Sequence, residues 1–156
     1  MQLADEAGIR SVLLERSLFG SGFDREAYST ELAQLVAQHD IDLVAMAGFG
    51  TVLGAPMFNA MPGRVINTHP ALLPSFPGWH AVRDAMAFGV KVTGCTIHVA
   101  TPEVDHGPIL AQEAVTIRED DDEASLHERI KAVERRLYVD TLRDIAESGH
   151  LLGTPI

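Results

Sequence analysis

Residues 65–80 read Val65-Ile66-Asn67-Thr68-His69-Pro70-Ala71-Leu72-Leu73-Pro74-Ser75-Phe76-Pro77-Gly78-Trp79-His80. Arg64-Val65-Ile66 enters an apolar strand, and Asn67 and His69 stand at its C-terminal end. In open parallel α/β sheets that end faces a crevice where ligands bind. The loop that follows holds Pro70, Pro74, Pro77 and Gly78, so its backbone has few conformations to lose when it is ordered around a substrate. A carboxamide and an imidazole two positions apart, with the carboxylate of Asp105 downstream in the run TPEVDHGP, outline a site that activates a carbonyl group.

Elements on either side of this strand alternate between helix and strand. Upstream, residues 2–8 read as the tail of a helix stopped by Gly8, and Ser11 to Arg16 (SVLLER) as a short strand. After the turn Phe19-Gly20-Ser21-Gly22, Asp24 is a good N-cap for a helix that carries Tyr28, Leu32, Leu35 and Val36 on one face and ends near His39. Ile41 to Ala47 is an apolar run of strand length, as expected of a parallel strand covered on both faces. Gly48-Phe49-Gly50 ends it, and a short helix follows from Ala55 to Met61. Downstream, His80 to Phe88 reads as a helix closed by Gly89, Val92 to Ala100 as β-rich, and Ile109 to Ile117 as a further strand. Asp120, Asp121 and Asp122 favour the start of a long helix with Leu126, Ile130, Val133, Leu137 and Ile145 on its buried face. The expected architecture is a three-layer α/β domain with a mostly parallel sheet.

Composition narrows the function classes. A chain of 156 residues, 46% of them hydrophobic, has the size of one domain with a proper core. Its 12 Lys and Arg against 22 Asp and Glu give a formal charge of −10, which repels nucleic acid and anionic membranes. Cys95 is the single cysteine, and no CxxC or HExxH spacing offers a metal site. No apolar run approaches a membrane span, and the first ten residues lack the order of a signal peptide. A cytoplasmic protein that needs no metal and binds neither nucleic acid nor membrane is expected.

From spacing alone, Asn67 also reads as a turn former and His69 as a loop histidine satisfied by its neighbours. The wider pattern is more specific. The segment INTHPALLPSFPGWHA (66–81) resembles the signature of the folate-dependent formyltransferases. AGFGTVL (47–53) resembles the family's folate loop, and TGCTIHVATPEVDHGPIL (93–110) its second active-site stretch. The likeness covers nearly the whole chain, and within the family it is greatest to the branch that formylates glycinamide ribonucleotide in purine synthesis. The methionyl-tRNA branch has Ala-Ser after the histidine, an Arg-rich loop and an extra C-terminal domain. Here Pro70 follows His69 and the loop has no basic residue. The formyltetrahydrofolate hydrolase branch carries an upstream regulatory domain and a different motif.

The resemblance implies a Rossmann-like formyltransferase fold and transfer of a formyl group from 10-formyltetrahydrofolate, as cosubstrate, to the amine of glycinamide ribonucleotide. The family's catalytic Asn, His and Asp fall on Asn67, His69 and Asp105. In that role Asn67 and a protonated His69 donate to the formyl oxygen as negative charge develops on it, and His69 passes a proton towards the leaving folate nitrogen. Asp105 favours the charged imidazole and fixes its orientation. Folate contacts fall on Gly50, Thr51, Val52, Leu53, Asn67 and on Arg25, which matches an Arg held near the glutamate tail. Thr51 departs from the basic residue often found there. Contacts to the ribonucleotide fall on Gly48 and on Glu134, which would accept from ribose hydroxyls. Arg25 and Glu134 read equally as a solvated helix-surface cation and acid. His80 and His98 read either as cleft residues or as structural ones, and Trp79 as a shield of the site from water or, more simply, as packing for the loop.

Members of the family begin with a strand, a Gly-Ser-Asn phosphate loop, a helix and a second strand, none of which precedes Ser11. Gly20-Ser21-Gly22 is an ordinary turn, because Asp24 would repel a phosphate at that helix start. Residues 1–156 are thus expected to form a single formyltransferase domain that lacks the first βαβ unit. Loss of about two charge-assisted bonds to phosphate would weaken substrate binding by about 10²- to 10⁴-fold. A folate-binding fragment without turnover, or a methionyl-tRNA-type formyltransferase, is the alternative, and self-association as a homodimer is left open.

Overall fold

The computed structural model describes residues 2–16 and 20–149. It contains helices α1 (Gln2–Glu6), α2 (Arg25–Gln38), α3 (Ala55–Ala60), α4 (Ala81–Phe88) and α5 (Glu123–Ser148), with strands β1 (Val44–Ala45), β2 (Val65–His69), β3 (Val92–Val99) and β4 (Ile109–Thr116). Phe19, at the head of the expected turn, lies outside the described residues, and Gly20–Gly22 form a single 3₁₀ turn.

The helix boundaries follow from local chemistry. The Asp24 carboxylate accepts from the Ala27 N–H at 2.9 Å and starts α2. Asp122 accepts from Ser125 N–H at 2.7 Å while the Asp122 N–H donates to Ser125 Oγ at 3.0 Å, a reciprocal cap on α5. Gly89, at φ 84°, ends α4 in the left-handed conformation that glycine adopts without penalty.

The sheet has the order β1-β2-β3-β4. Successive residues of β2 point to opposite faces and show the layering directly. Val65 joins Val36, Met57 and Met61 beneath α2 and α3. Ile66 joins Val82, Ile97, Leu126 and Ile130 beneath α4 and α5. The expected three layers are present, with β3 buried from Thr93 to Val99 between them. Tyr138 on α5 ties its layer to the sheet, its hydroxyl reaching the carbonyl oxygens of Ile66 at 2.9 Å and Met46 at 3.1 Å.

Three expectations need correction. The run from Ile41 to Ala47 is a strand only at Val44–Ala45, and with Ala45 exposed it is not covered on both faces. The sheet is parallel only where it starts, at β1–β2; β2–β3 and β3–β4 are antiparallel. Residues 100–108, which join β3 to β4, are too few for the crossover that a parallel pair requires. Ser11 to Arg16 is not a strand. Val12 and Leu13 are exposed, and no described sheet edge pairs with this run, which an apolar segment needs in order to become a strand.

Candidate active site

The end of β2 opens on a cleft of about 570 Å³, within the size range of small-molecule sites. Asn67, His69 and Asp105 all line it, as do Gly48, Gly50, Thr51, Val52, Leu53 and Glu134. Of the residues picked out from sequence, Arg25 and His80 do not. Arg25 sits in the first turn of α2 with its guanidinium 3.7 Å from Glu26. Its backbone still reaches the loop indirectly, since its carbonyl accepts from Ser29 Oγ at 2.7 Å and that oxygen accepts from the Gly54 N–H at 2.7 Å.

The proline loop is fixed from below. Thr96, fully buried on β3, donates through Oγ1 to the Ala71 carbonyl at 2.6 Å and accepts from the Leu73 N–H at 3.0 Å. Gln112 on β4 donates to the Leu73 carbonyl at 2.8 Å and to Thr96 Oγ1 at 2.9 Å. The Leu73–Pro74 peptide is cis. This anchoring holds the Phe76 carbonyl 2.8 Å from His69 Nε2. A carbonyl oxygen only accepts, so Nε2 carries a hydrogen.

The other ring nitrogen faces a carboxylate. His69 Nδ1 lies 3.4 Å from Asp105 Oδ2, and the same oxygen accepts from the Gly78 N–H at 2.8 Å. Asp105 is delivered by a tight turn in which its own φ is 61°, a region that non-glycine residues seldom occupy. Gly107 closes the turn, and a Cβ there would run into the Val99 carbonyl oxygen. In this conformation both nitrogens of His69 are engaged by the protein. The Asn67 amide therefore stands as the donor nearest to hand for a ligand carbonyl, and His69 must exchange the Phe76 oxygen to reach one.

His98 joins the constellation from β3. Its Nε2 lies 3.3 Å from Asn67 Nδ2 and 3.7 Å from Asp105 Oδ1, and its Nδ1 lies 3.1 Å from the Val99 carbonyl oxygen. Burial holds its pKa below the ordinary histidine value, against the opposing pull of the Val99 carbonyl and Asp105. The sequence is neutral on His98, and the missing signal is strand register, because Asn67 and His98 are direct partners across β2–β3.

Met46, Phe49, Val52, Leu53 and Phe58 give the cleft an apolar lining. Trp79 lines the cleft and does not pack the loop. It is 73% exposed and its ring lies over Gly50, where an added Cβ would stand 3.3 Å from the indole. Thr51 has a partner that the sequence did not indicate, since Arg16 Nη1 donates to its hydroxyl at 3.1 Å while the guanidinium sits 4.0 Å above the Phe23 ring. Glu134 faces the cleft from α5 beside His127, Lys131 and Arg135, and burial raises its pKa against the pull of those three. Cys95 is buried, its thiol pushed up to about 11 by desolvation, which leaves it no nucleophilic role.

Comparison with known proteins bears on this arrangement. Residues 1–142 match the formyl transferase family model. A phosphoribosylglycinamide formyltransferase of Mycobacterium tuberculosis (strain CDC 1551 / Oshkosh) is 50% identical over 125 residues, which cover 80% of this chain and 58% of that protein. The crystal structure of glycinamide ribonucleotide transformylase 1 from Symbiobacterium toebii superposes with a TM-score of 0.87 at 39% identity, over 94% of this chain and 68% of that one. A formyltetrahydrofolate deformylase from Pseudomonas syringae pv. tomato superposes with a TM-score of 0.84 at 28% identity, over 94% of this chain and 48% of that one.

Proposed function

The chain belongs to the formyl transferase family, and from that premise we propose that it transfers the formyl group of 10-formyltetrahydrofolate to the amine of glycinamide ribonucleotide, a step of purine synthesis. The observation that carries this reading is the convergence of Asn67, His69 and Asp105 on one cleft that is also lined by apolar side chains and by an acid, Glu134.

The reaction is an acyl transfer between nitrogens. The neutral amine attacks the formyl carbon, and the carbonyl electrons move onto oxygen. The Asn67 N–H donates to that oxygen, and His69 adds a second donor as it exchanges the Phe76 carbonyl for substrate. One donor of this kind is typically worth about 10²- to 10³-fold in rate. Collapse of the tetrahedral centre breaks the bond to the folate nitrogen, which takes a proton from His69. The new amide nitrogen gives up a proton in turn, so His69 is restored and no net proton is consumed. Asp105 holds the imidazole in line throughout and complements its charge while the second proton is present.

Backbone groups of residues 50–53 suit the polar edge of a pterin, and the apolar lining suits its ring. Glu134 suits ribose hydroxyls. Both ligands are small molecules that diffuse freely, consistent with a cytoplasmic enzyme, and the charge of −10 disfavours a polyanionic acceptor. Among the described residues no helix is long and apolar enough to cross a membrane.

The test is a turnover assay with 10-formyltetrahydrofolate and, in separate arms, glycinamide ribonucleotide, charged initiator tRNA or water as acceptor. Formylated ribonucleotide in the first arm supports the reading. Transfer to tRNA alone, hydrolysis alone, or folate binding with no turnover in any arm overturns it.

A further inference from the structure

His98 lines the cleft, is 1% exposed and takes no step in the reaction above, yet its two nitrogens face groups of opposite hydrogen-bonding sense. The Val99 carbonyl oxygen, 3.1 Å from Nδ1, only accepts, so Nδ1 carries a hydrogen. The Asn67 Nδ2, 3.3 Å from Nε2, only donates, so Nε2 presents a lone pair. Together the two contacts select one neutral tautomer. The β3–β4 ladder also breaks register between Ile97 and His98, an irregularity of the kind that re-aims a side chain beside a site.

The consequence falls on Asn67. The two ends of a carboxamide have the same shape but opposite chemistry, and only the nitrogen end can donate to a developing oxyanion. A flipped Asn67 would set its oxygen against the His98 lone pair, which repels it. We propose that His98 is a positioning residue for Asn67: as the Nδ1-protonated tautomer it accepts one N–H of the carboxamide, fixes which end is which, and leaves the second N–H for the reacting carbonyl. The kinetic consequence rests on the formyl-transfer reading; the tautomer does not.

The charged groups that face His98 are Asp105, whose Oδ1 lies 3.7 Å from Nε2, and His69 on the neighbouring strand. Asp105 favours a proton on His98, and His69 opposes one. A protonated His98 would direct an N–H from Nε2 at Asp105 and lose the lone pair that holds Asn67, so the lock holds only in the neutral form.

Two variants of the full chain separate this role from packing. His98→Asn keeps a donor for the Val99 carbonyl but stops short of Asn67, whereas His98→Gln keeps an acceptor that reaches it. His98→Asn is expected to lower kcat by about 10- to 100-fold, the usual loss when a partner that orients a site group is removed, with the KM for both substrates within about threefold. His98→Gln is expected to restore most of kcat and to lose the acid-side fall in activity that His98 protonation contributes. Nitrogen NMR of the unaltered chain is expected to show Nδ1 protonated and Nε2 bare. A His98→Asn variant with unaltered kcat, a His98→Gln variant no better than His98→Asn, or the opposite tautomer overturns the inference. If the chain transfers no formyl group, the functional reading fails and the NMR result alone still decides for or against the tautomer.

Discussion

Asp105 Oδ2 stands 3.4 Å from His69 Nδ1, with side-chain exposures of only 6% and 5%. The carboxylate reaches that place because Asp105 accepts the positive φ of a tight turn and because the Gly78 N–H of the facing loop donates to the same oxygen. Replacing Asp105 with Asn keeps the shape and removes the charge. Turnover is expected to fall by about 10²- to 10⁴-fold, the range of acid–base assistance, while the Kd for the folate changes by less than about threefold. Steady-state kinetics beside calorimetry measures both; unchanged turnover, or a loss confined to binding, contradicts the assigned role.

The floor of the proline loop predicts a stability effect. Thr96→Val is nearly equal in volume but removes the hydroxyl shared by Ala71, Leu73 and Gln112. Two buried backbone groups lose their partner, at about 1 to 3 kcal/mol each, so the urea midpoint should drop by the equivalent of about 2 to 6 kcal/mol. A midpoint within error of the unaltered chain would mean that another group holds the loop.

Gly107→Ala places a methyl group against the Val99 carbonyl oxygen, which backbone movement must relieve at a cost of about 1 to 3 kcal/mol. Because that movement carries Asp105, two residues away, turnover should fall together with stability. Thermal denaturation and turnover measured on one preparation test the coupling, and a variant that loses stability with full turnover breaks it.

The buried His98 makes stability depend on pH. Its pKa in the fold lies below the ordinary value near 6.5, so below that pH the unfolded chain binds a proton that the folded chain resists. This contribution is intact above about pH 6.5 and is lost as pH falls towards the lower, folded value. The urea midpoint of the unaltered chain should therefore fall more steeply between pH 7.5 and 5 than that of His98→Asn; parallel curves would show that His98 is not held neutral.

What was legible in the sequence divides along physical lines. Asp24 and Asp122 announced their helices because capping is settled by groups three residues away, and Leu126, Ile130 and Ile145 fell on the buried face of α5 because helical period needs no partner. The run SVLLER carried the composition of a strand, but a strand is completed by a neighbouring edge, which composition does not encode. The antiparallel half of the sheet was missed because direction depends on where a connection lets the chain re-enter. At the site, Asn67, His69 and Asp105 were readable as a motif, and the cleft brings them together. His98 opposite Asn67, Arg16 against Thr51 and Trp79 over Gly50 were not, since each is created by register or by loops meeting across the fold.

In the proposed reaction the Asn67 carboxamide supplies a hydrogen bond to the formyl oxygen that matters mainly as charge develops there. Turnover of Asn67→Ala with 10-formyltetrahydrofolate and glycinamide ribonucleotide, set beside the Kd of the same variant for the folate, tests it most directly. A loss of about 10²- to 10³-fold in kcat is expected, with a Kd changed by less than about threefold. Turnover equal to that of the unaltered chain, or a loss that appears entirely in the Kd, would contradict it.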